Sequence, residues 1–159
     1  MAYLHSIRVW RICNAKWAET AFDGQGAKIY GGRWNPIGTA VVYTSSSLAL
    51  ATLELLVHLG VKASPKAHVA IAADIPEIIA IEQVDKSDLP SDWRKDPPPS
   101  TLANIGQEWV SKSKSAVLQI PSAVIDEEWN YLLNPQHPDF AQIIIGTVKD
   151  FQFDSRLFN

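Results

Sequence analysis

The sequence has one cysteine, no excess of basic residues and no long apolar run, and each absence excludes a class of protein. Cys13 has no partner cysteine, so an intramolecular disulfide framework is excluded. With 14 basic and 17 acidic residues the net charge is −3, which argues against a general nucleic-acid binder, because such proteins usually present a basic face. No apolar stretch reaches the roughly 20 residues that a membrane-spanning helix needs.

The N-terminal residues also lack the apolar region and the cleavage site of a signal peptide. We therefore expect a cytoplasmic protein with no membrane segment and no direct contact with nucleic acid.

Familiar nucleotide-binding and catalytic motifs are missing as well. The glycines of "GQGAKIYGG" are spaced G-x-G-x-x-x-x-G, which is not the dinucleotide fingerprint, and no strand of a βαβ unit precedes them. The chain has no Walker A sequence and no G-x-S-x-G nucleophile elbow. The histidines show no metal-ligand spacing, and "HPD" at 137–139 is better explained as a turn fixed by Pro138 than as part of a metal site. We expect no bound metal.

The composition is that of an ordinary globular protein: 47% of the residues are apolar and 19% are charged. A chain of 159 residues without a repeat or a linker predicts one domain over residues 1–159. Strand and helix patterns mix without a regular βαβ rhythm, which favours the α+β class over a doubly wound sheet.

The local patterns place most of the secondary structure. A helix is predicted over about Leu48–Leu59, with N-cap candidates at Ser45–Ser47 and an end at Gly60. A second helix is predicted in "TLANIGQEWVSKS". Residues 16–32 are expected to be irregular, although Ala15–Ala21 could form a helical turn, and residues 86–100 form a loop around three prolines. Strands are predicted in "IRVWRI", "TAVVYTS", "AHVAIAADI", "AIEQVD" and "SAVLQI", with a closing strand pair in "QIIIGTVKDFQFDSRLF".

The first of these helices carries a single acidic residue, Glu54, among apolar residues. A helix that is apolar on nearly all sides is usually buried, and an unpaired carboxylate is costly to bury. Glu54 therefore either pairs with a neighbour, such as His58 one turn further on, or borders a cleft. The spacing leaves both interpretations open.

Upstream of that helix, Arg33 follows the glycine pair Gly31 and Gly32. Glycines permit positive φ or a close approach of the backbone to a ligand, and the planar guanidinium matches phosphate or carboxylate with two hydrogen bonds. The same pattern also suits a turn whose arginine packs on Trp34.

Three other polar residues are candidates for the same site. Tyr30 and Tyr43 could each stack on a planar ring or simply lie in the core. Ser122 follows an apolar strand, where its hydroxyl could enter a site or cap the next turn. No base is arranged beside it in the sequence, so a serine-hydrolase role is not indicated.

Taken together, these segments resemble the RES-domain family, which is named for an arginine, a glutamate and a serine. Those residues correspond to Arg33, Glu54 and Ser122. The resemblance covers nearly the whole chain, and the combination of G-G-R-W-N, a tyrosine and a glutamate with the later P-S and N-Y-L-L-N-P-x-H-P is far more specific than any one motif. It is carried by "GGRWNPIGTAVVYTSSSLALATLE", "FDGQGA", "IGQEWVSKSKSAVLQIPSAVIDEEWNYLLNPQHPDF" and "FQFDSRLF".

The resemblance implies a fold similar to that of ADP-ribosyltransferases, with a compact mixed sheet and surrounding helices. It further implies a toxin of a bacterial type II toxin–antitoxin system that degrades NAD⁺ at the nicotinamide–ribose bond, by hydrolysis or phosphorolysis. The implied partner is an Xre-like helix-turn-helix antitoxin that blocks the active site, and the complex could contain a toxin homodimer. NAD⁺ is then a substrate, and no cofactor is expected.

Within this resemblance the candidate residues acquire roles. Glu54 would stabilise the oxocarbenium-like charge that develops on the ribose, and Arg33 would clamp the pyrophosphate, with Arg11 as a second phosphate contact. The predicted catalytic residues are Arg33, Glu54 and Ser122, and the predicted NAD⁺-binding residues are Arg11, Tyr30, Arg33 and Tyr43.

Two other functions remain open at this point. ADP-ribosyl transfer to a specific protein, reported for some members of the family, would use the same pocket. A non-enzymatic module that inhibits growth through a partner would keep its toxicity when Glu54 is replaced by alanine.

Overall fold

A mixed sheet forms the centre of the protein. The computed structural model describes residues 5–60 and 67–158, and eight strands lie within them. They are β1 (Ser6–Asn14), β2 (Val42–Ser45), β3 (His68–Pro76), β4 (Ile81–Gln83), β5 (Val117–Pro121), β6 (Trp129–Leu133), β7 (Ile144–Ile145) and β8 (Lys149–Phe151). The strand order is β4–β5–β6–β2–β1–β3–β7, and β8 also pairs with β3. Only β4 and β5 are parallel.

Three α-helices surround this sheet in the described residues: α1 (Gln25–Tyr30), α2 (Leu48–Leu59) and α3 (Ser100–Lys112). Short 3₁₀ helices lie in the connections, at Ala15–Thr20, Lys86–Asp88, Pro138–Gln142 and Ser155–Phe158. No described helix combines the length and the apolar character that crossing a bilayer demands.

The core is divided between the two faces of the sheet. Neighbouring residues such as Leu132 and Leu133 belong to different apolar clusters, because successive side chains of a strand point to opposite faces. One face is covered by a single large cluster. The other face has two clusters, one under α3 and one in which Ala51 of α2 packs near Ile12 and Ala70.

The sheet opens where β1 meets β2. The ladder between these strands is limited to Trp10 opposite Ser45, although β1 pairs with β3 along its whole length. Beyond that pair the side chain of Arg11 reaches across, and its Nη1 donates to the backbone oxygen of Tyr43 at 3.1 Å. A side-chain donor thus replaces a backbone donor, which leaves room for a cavity at the opening.

α2 begins and ends where its sequence predicts. Ser47 is the N-cap, its hydroxyl accepting from the Leu50 amide at 3.0 Å, and Gly60 ends the helix with a φ of 63°. Although a helix this apolar is usually buried, α2 is covered on only part of its surface: Leu53 is 38% exposed and Val57 is 60% exposed. These residues lie one turn apart and flank Glu54, so one apolar face of α2 remains open.

Gly106 fixes the position of α3. A Cβ at this position would overlap the carbonyl oxygen of Trp34, a residue that is itself only 2% exposed. The missing side chain therefore lets the turn that carries Arg33 rest directly on the helix.

Replacing Gly106 by alanine is expected to lower the free energy of unfolding by more than about 3 kcal/mol, because neither backbone can move away without disturbing the core. Gly26 provides the matched control, since it is also helical and a Cβ there meets nothing within 4 Å. Gly26→Ala should instead raise stability by about 0.5–1 kcal/mol through its helix propensity. Urea unfolding of the two variants gives both values, and equal values would contradict this account of Gly106.

The α+β class, with a mixed sheet core and surrounding helices, is confirmed. The predicted strands and both predicted helices are present. Three local predictions were wrong or incomplete: β6 was not predicted, α1 occupies part of the segment expected to be irregular, and β7 and β8 each pair with β3 rather than with one another.

Candidate active site

One cavity of about 1030 Å³ lies beside the opening between β1 and β2. Its wall includes residues from β1, α1, the following glycine turn, β2, α2 and β6. Five of the six residues predicted for the site line this cavity, namely Arg11, Tyr30, Arg33, Tyr43 and Glu54. They come from five separate segments of the chain, so it is the sheet opening that brings them together.

Glu54 is held in this cavity by two neutral donors. Its Oε1 accepts from the hydroxyl of Ser122 at 2.7 Å and from Nδ2 of Asn130 at 2.6 Å. None of the ion pairs among the described residues involves Glu54. Of the two interpretations of this acid, the structure therefore supports a position at a cleft and not a pair with His58. Two hydrogen bonds therefore orient the carboxylate while no described cation neutralises it.

Ser122 stands behind the carboxylate and does not line the cavity. Its side chain is fully buried, and its oxygen also accepts from the backbone amides of Val124 and Ile125 at 3.1 and 3.0 Å. The single hydroxyl proton and both lone pairs of the oxygen are thereby engaged in hydrogen bonds within the protein. The geometry makes Ser122 a support for Glu54.

Asn130, the first asparagine of the N-Y-L-L-N-P segment, is a site residue that the sequence pattern did not predict. It lies on β6 opposite Ser45 of β2 and Ile120 of β5, and its side chain lines the cavity next to Glu54. Its Oδ1 is buried and has no hydrogen-bond partner among the described residues. A polar residue inside an otherwise apolar strand was the available signal, and the failure to predict β6 hid it.

Arg33 occupies a corner of a tight turn in which Gly32 and Asn35 exchange backbone hydrogen bonds at 2.9 and 3.4 Å. Its Nη1 donates to the backbone oxygens of Trp93 and Lys95, at 2.9 and 2.7 Å. The remaining guanidinium donors, on Nε and Nη2, have no partner among the described residues. Arg33 thus holds the neighbouring loop and keeps donors available for an anion.

The loop that Arg33 holds, residues 93–98, is called the strap below. Asp96 and Pro98 of the strap contribute to the wall of the cavity. By holding the strap, Arg33 also helps to fix the position of this part of the cavity wall.

Arg11 is a partly buried cation that forms no ion pair with a described acidic residue. Besides its bond to the Tyr43 carbonyl, its Nε is buried and has no acceptor among the described residues. Removal from water lowers the pKa of the Arg11 guanidinium, while the nearby Cys13 and Asp23 raise it. An anionic ligand in the cavity would supply the missing acceptor and balance the positive charge of this guanidinium.

Tyr43 supports the glycine turn. Its hydroxyl donates to Oδ1 of Asn35 at 2.6 Å and accepts from the Trp34 amide at 3.1 Å, and burial raises the pKa of this phenol well above its usual value. A Cβ at Gly32 would lie 2.6 Å from that hydroxyl. The glycine is therefore required by packing against Tyr43 within the protein. Tyr30, by contrast, is 82% exposed at the rim.

The described residues contain no group of three or more histidine, cysteine, aspartate or glutamate side chains that could hold a metal ion. His137 has the turn role predicted for it: Nδ1 accepts from the Asp139 amide at 3.0 Å and caps the following 3₁₀ helix. The wall of the cavity supplies the carboxylates of Asp23, Glu54 and Asp96, the guanidinium groups of Arg11 and Arg33, and aromatic side chains.

Comparison with known proteins gives consistent matches over this whole region. The RES domain matches residues 8–154. A protein named Toxin Res from Photorhabdus laumondii is 43% identical over 151 residues, which cover 94% of this chain and 96% of that protein. A protein named Prs ADP-ribosylating toxin from Sphingobium sp. is 38% identical over 152 residues, covering 93% and 94% of the two chains.

A solved structure has the same fold at much lower sequence identity. It is the crystal structure of the M. tuberculosis MbcT–MbcA toxin–antitoxin complex, in which the matched chain superposes with a TM-score of 0.75 at 16% identity. The match covers 93% of this chain and 85% of that one. The sheet and its helices are therefore shared as a fold.

Proposed function

Because the chain belongs to the RES domain family, we propose that it is the toxin of a toxin–antitoxin pair and that it cleaves the nicotinamide–ribose bond of NAD⁺. The observation that carries this proposal is the Glu54 carboxylate, which is oriented in a large cavity by Ser122 and Asn130 and is not neutralised by a described cation. A negative charge held in this way suits a reaction in which positive charge develops on the substrate.

The proposed reaction supplies such a charge. The bond between C1′ of the ribose and the ring nitrogen of nicotinamide breaks, and its electron pair neutralises the pyridinium. Positive charge is left on C1′ and O4′, in a transition state like that of glycoside hydrolysis. Glu54 would stabilise this charge electrostatically. The leaving group departs neutral, so the reaction needs no proton from a general acid.

Either water or inorganic phosphate can complete the reaction at C1′. Water gives ADP-ribose and releases a proton, whereas phosphate gives ADP-ribose 1″-phosphate. The pyrophosphate of the substrate carries the negative charge that Arg11 and the unused donors of Arg33 would bind. The cavity volume of about 1030 Å³ can accommodate a dinucleotide, since pockets for smaller ligands measure about 300–1,000 Å³.

Release of nicotinamide tests the proposal directly. The purified protein, free of antitoxin, is incubated with NAD⁺ in buffers with and without phosphate, and nicotinamide is quantified by chromatography. We expect release in at least one buffer, and stimulation by phosphate would identify phosphorolysis. A folded protein that releases no nicotinamide in either buffer would contradict the proposed reaction.

ADP-ribosyl transfer to a protein is a second candidate, because one relative at 38% identity is named Prs ADP-ribosylating toxin. The same carboxylate would stabilise the same ribosyl cation, and only the final acceptor differs. Incubation with labelled NAD⁺ and a bacterial lysate distinguishes the reactions. A discrete labelled protein band supports transfer, whereas label found only in small molecules supports NAD⁺ degradation.

The proposed partner is an Xre-like helix-turn-helix antitoxin that covers the cavity. Support comes from the apolar side chains exposed near the cavity, Ile29, Tyr30 and Val57 among them, which form a surface that a protein partner could bury. The solved relative is itself a toxin–antitoxin complex. Adding a purified antitoxin of this type should suppress nicotinamide release, and a stable complex with undiminished release would contradict the blocking role.

A further inference from the structure

Arg33 and Glu54 are connected by hydrogen bonds that run through two short backbone segments, residues 93–95 and residues 122–125. The first of these segments belongs to the strap. Nη1 of Arg33 donates to the carbonyl oxygens of Trp93 and Lys95, and Arg94 is the residue between these two acceptors. The backbone on both sides of Arg94 is thereby attached to the glycine turn.

Arg94 extends this set of bonds to the loop after β5, residues 122–126. Its Nε donates to the carbonyl oxygen of Ala123 at 2.9 Å, and its Nη2 donates to that of Val124 at 3.2 Å. A planar guanidinium can serve two successive carbonyls in this way, whereas an ammonium group cannot match the same geometry. The strap and the loop after β5 are therefore fixed to one another by a single side chain.

The loop after β5 completes the connection to the carboxylate. The amides of Val124 and Ile125 both donate to the Ser122 oxygen, and the Ser122 hydroxyl donates to Oε1 of Glu54. The position of the Ser122 hydroxyl thus depends on the conformation of the two residues that follow it. Arg94 holds the carbonyls of that same short segment.

We propose that Arg94 is a positioning residue for Glu54, acting through the loop after β5 and Ser122, and that it couples the strap held by Arg33 to the orientation of the carboxylate. Arg94 itself does not line the cavity. Its attraction to Asp126 is a minor part of this role, because the 3.5 Å pair is about half exposed on both sides and such pairs contribute little. The two carbonyl contacts carry the effect.

Two measurements on Arg94→Ala test the coupling. Hydrogen exchange at the Val124 and Ile125 amides reports the order of the loop without reference to any activity. We expect exchange there to accelerate by at least about tenfold, because local opening becomes easier. The second measurement, nicotinamide release, rests on the proposed function: we expect kcat to fall by about 10- to 100-fold through misplacement of Glu54, with a smaller change in KM.

Three control variants separate the alternatives. Arg94→Lys keeps the charge but lacks the planar fork that matches both carbonyls, so kcat and amide exchange should lie between those of Arg94→Ala and the wild type. Asp126→Asn removes the ion pair and keeps the carbonyl contacts, so both values should stay within about twofold of the wild type. Arg156→Ala removes a guanidinium near the C-terminus, in a surface pair with Asp154, and should change neither.

Unchanged exchange at Val124 and Ile125 in Arg94→Ala would overturn the coupling, whatever the enzyme does. Faster exchange with an unchanged kcat would overturn the positioning of Glu54. Absence of nicotinamide release from the wild-type protein is a different result: it would overturn the proposed function, while the exchange data would still decide whether Arg94 orders the loop.

Discussion

Replacing Glu54 by glutamine is expected to lower kcat for nicotinamide release by about 100- to 1000-fold, a loss typical for removal of one preorganised electrostatic contact to a transition state. The amide oxygen of glutamine can still accept from Ser122 and Asn130, which now approach Oε1 at 2.7 and 2.6 Å. The side chain therefore keeps its place and its size while it loses its negative charge. Because no described cation depends on that charge, the fold should remain intact.

The measurement pairs steady-state kinetics with thermal unfolding of the same preparation. Glu108→Gln is a suitable control, since it removes the charge of a 63% exposed glutamate of α3 that pairs with Lys112. It should leave kcat unchanged. If Glu54→Gln retains full activity, Glu54 is not the group that stabilises the ribosyl cation. If a stably folded Glu54→Gln protein also retains full toxicity, a non-enzymatic mode of growth inhibition is favoured.

The parts of the fold that follow from short-range chemistry could be predicted from the sequence. α2 is the clearest case, because the Ser47 cap, the apolar run and Gly60 are all local signals. α1 was missed since it has only six residues, one of which is the weak helix former Gly26. β6 was missed because "WNYLL" lacks alternation: its last three residues are buried on both faces of the sheet.

The partners of individual side chains were harder to foresee. Glu54 stood out because a lone acid in an apolar helix demands an explanation from the sequence alone. Its two donors lie 68 and 76 residues away, on segments that only the sheet order brings alongside α2. The same is true of Arg33, whose carbonyl partners are 60 and 62 residues distant. Residue types can thus suggest a site, but supporting residues such as Asn130 and Arg94 require the tertiary structure.

The open face of α2 has a related cause. A run of leucines predicts that a helix is largely buried, but it does not indicate which surface covers each side of the helix. Leu50 and Ala51 are covered by the protein itself, whereas Leu53 and Val57 are left exposed on the side of Glu54. Exposed apolar side chains next to the cavity form a surface that the proposed antitoxin could cover.

Arg11→Met is expected to change function and stability in opposite directions. Loss of a charge-assisted hydrogen bond costs about 1.5–3 kcal/mol of binding, so KM for NAD⁺ should rise by about 10- to 100-fold. The unliganded protein, in contrast, no longer has to bury a cation whose Nε lacks a described acceptor and whose pKa is lowered by burial. Removing a cost of several kcal/mol outweighs the lost bond to the Tyr43 carbonyl, which leaves a net gain of about 1–2 kcal/mol in unfolding free energy.

Arg8→Met is the matched control, because Arg8 lies on the same strand and pairs with Asp74 at the surface, where its side chain is 60% exposed. This change should leave KM unaffected and should not raise stability.

Titration calorimetry with ADP-ribose provides a measure of anion binding that is independent of turnover, and Arg11→Met should weaken it by a factor similar to the rise in KM. Unchanged affinity for ADP-ribose would show that the pyrophosphate does not bind at Arg11, and a loss of stability would show that the buried guanidinium serves the fold instead. The predicted combination, weaker binding in a more stable protein, is expected of a residue that is kept for its ligand at the expense of the free protein.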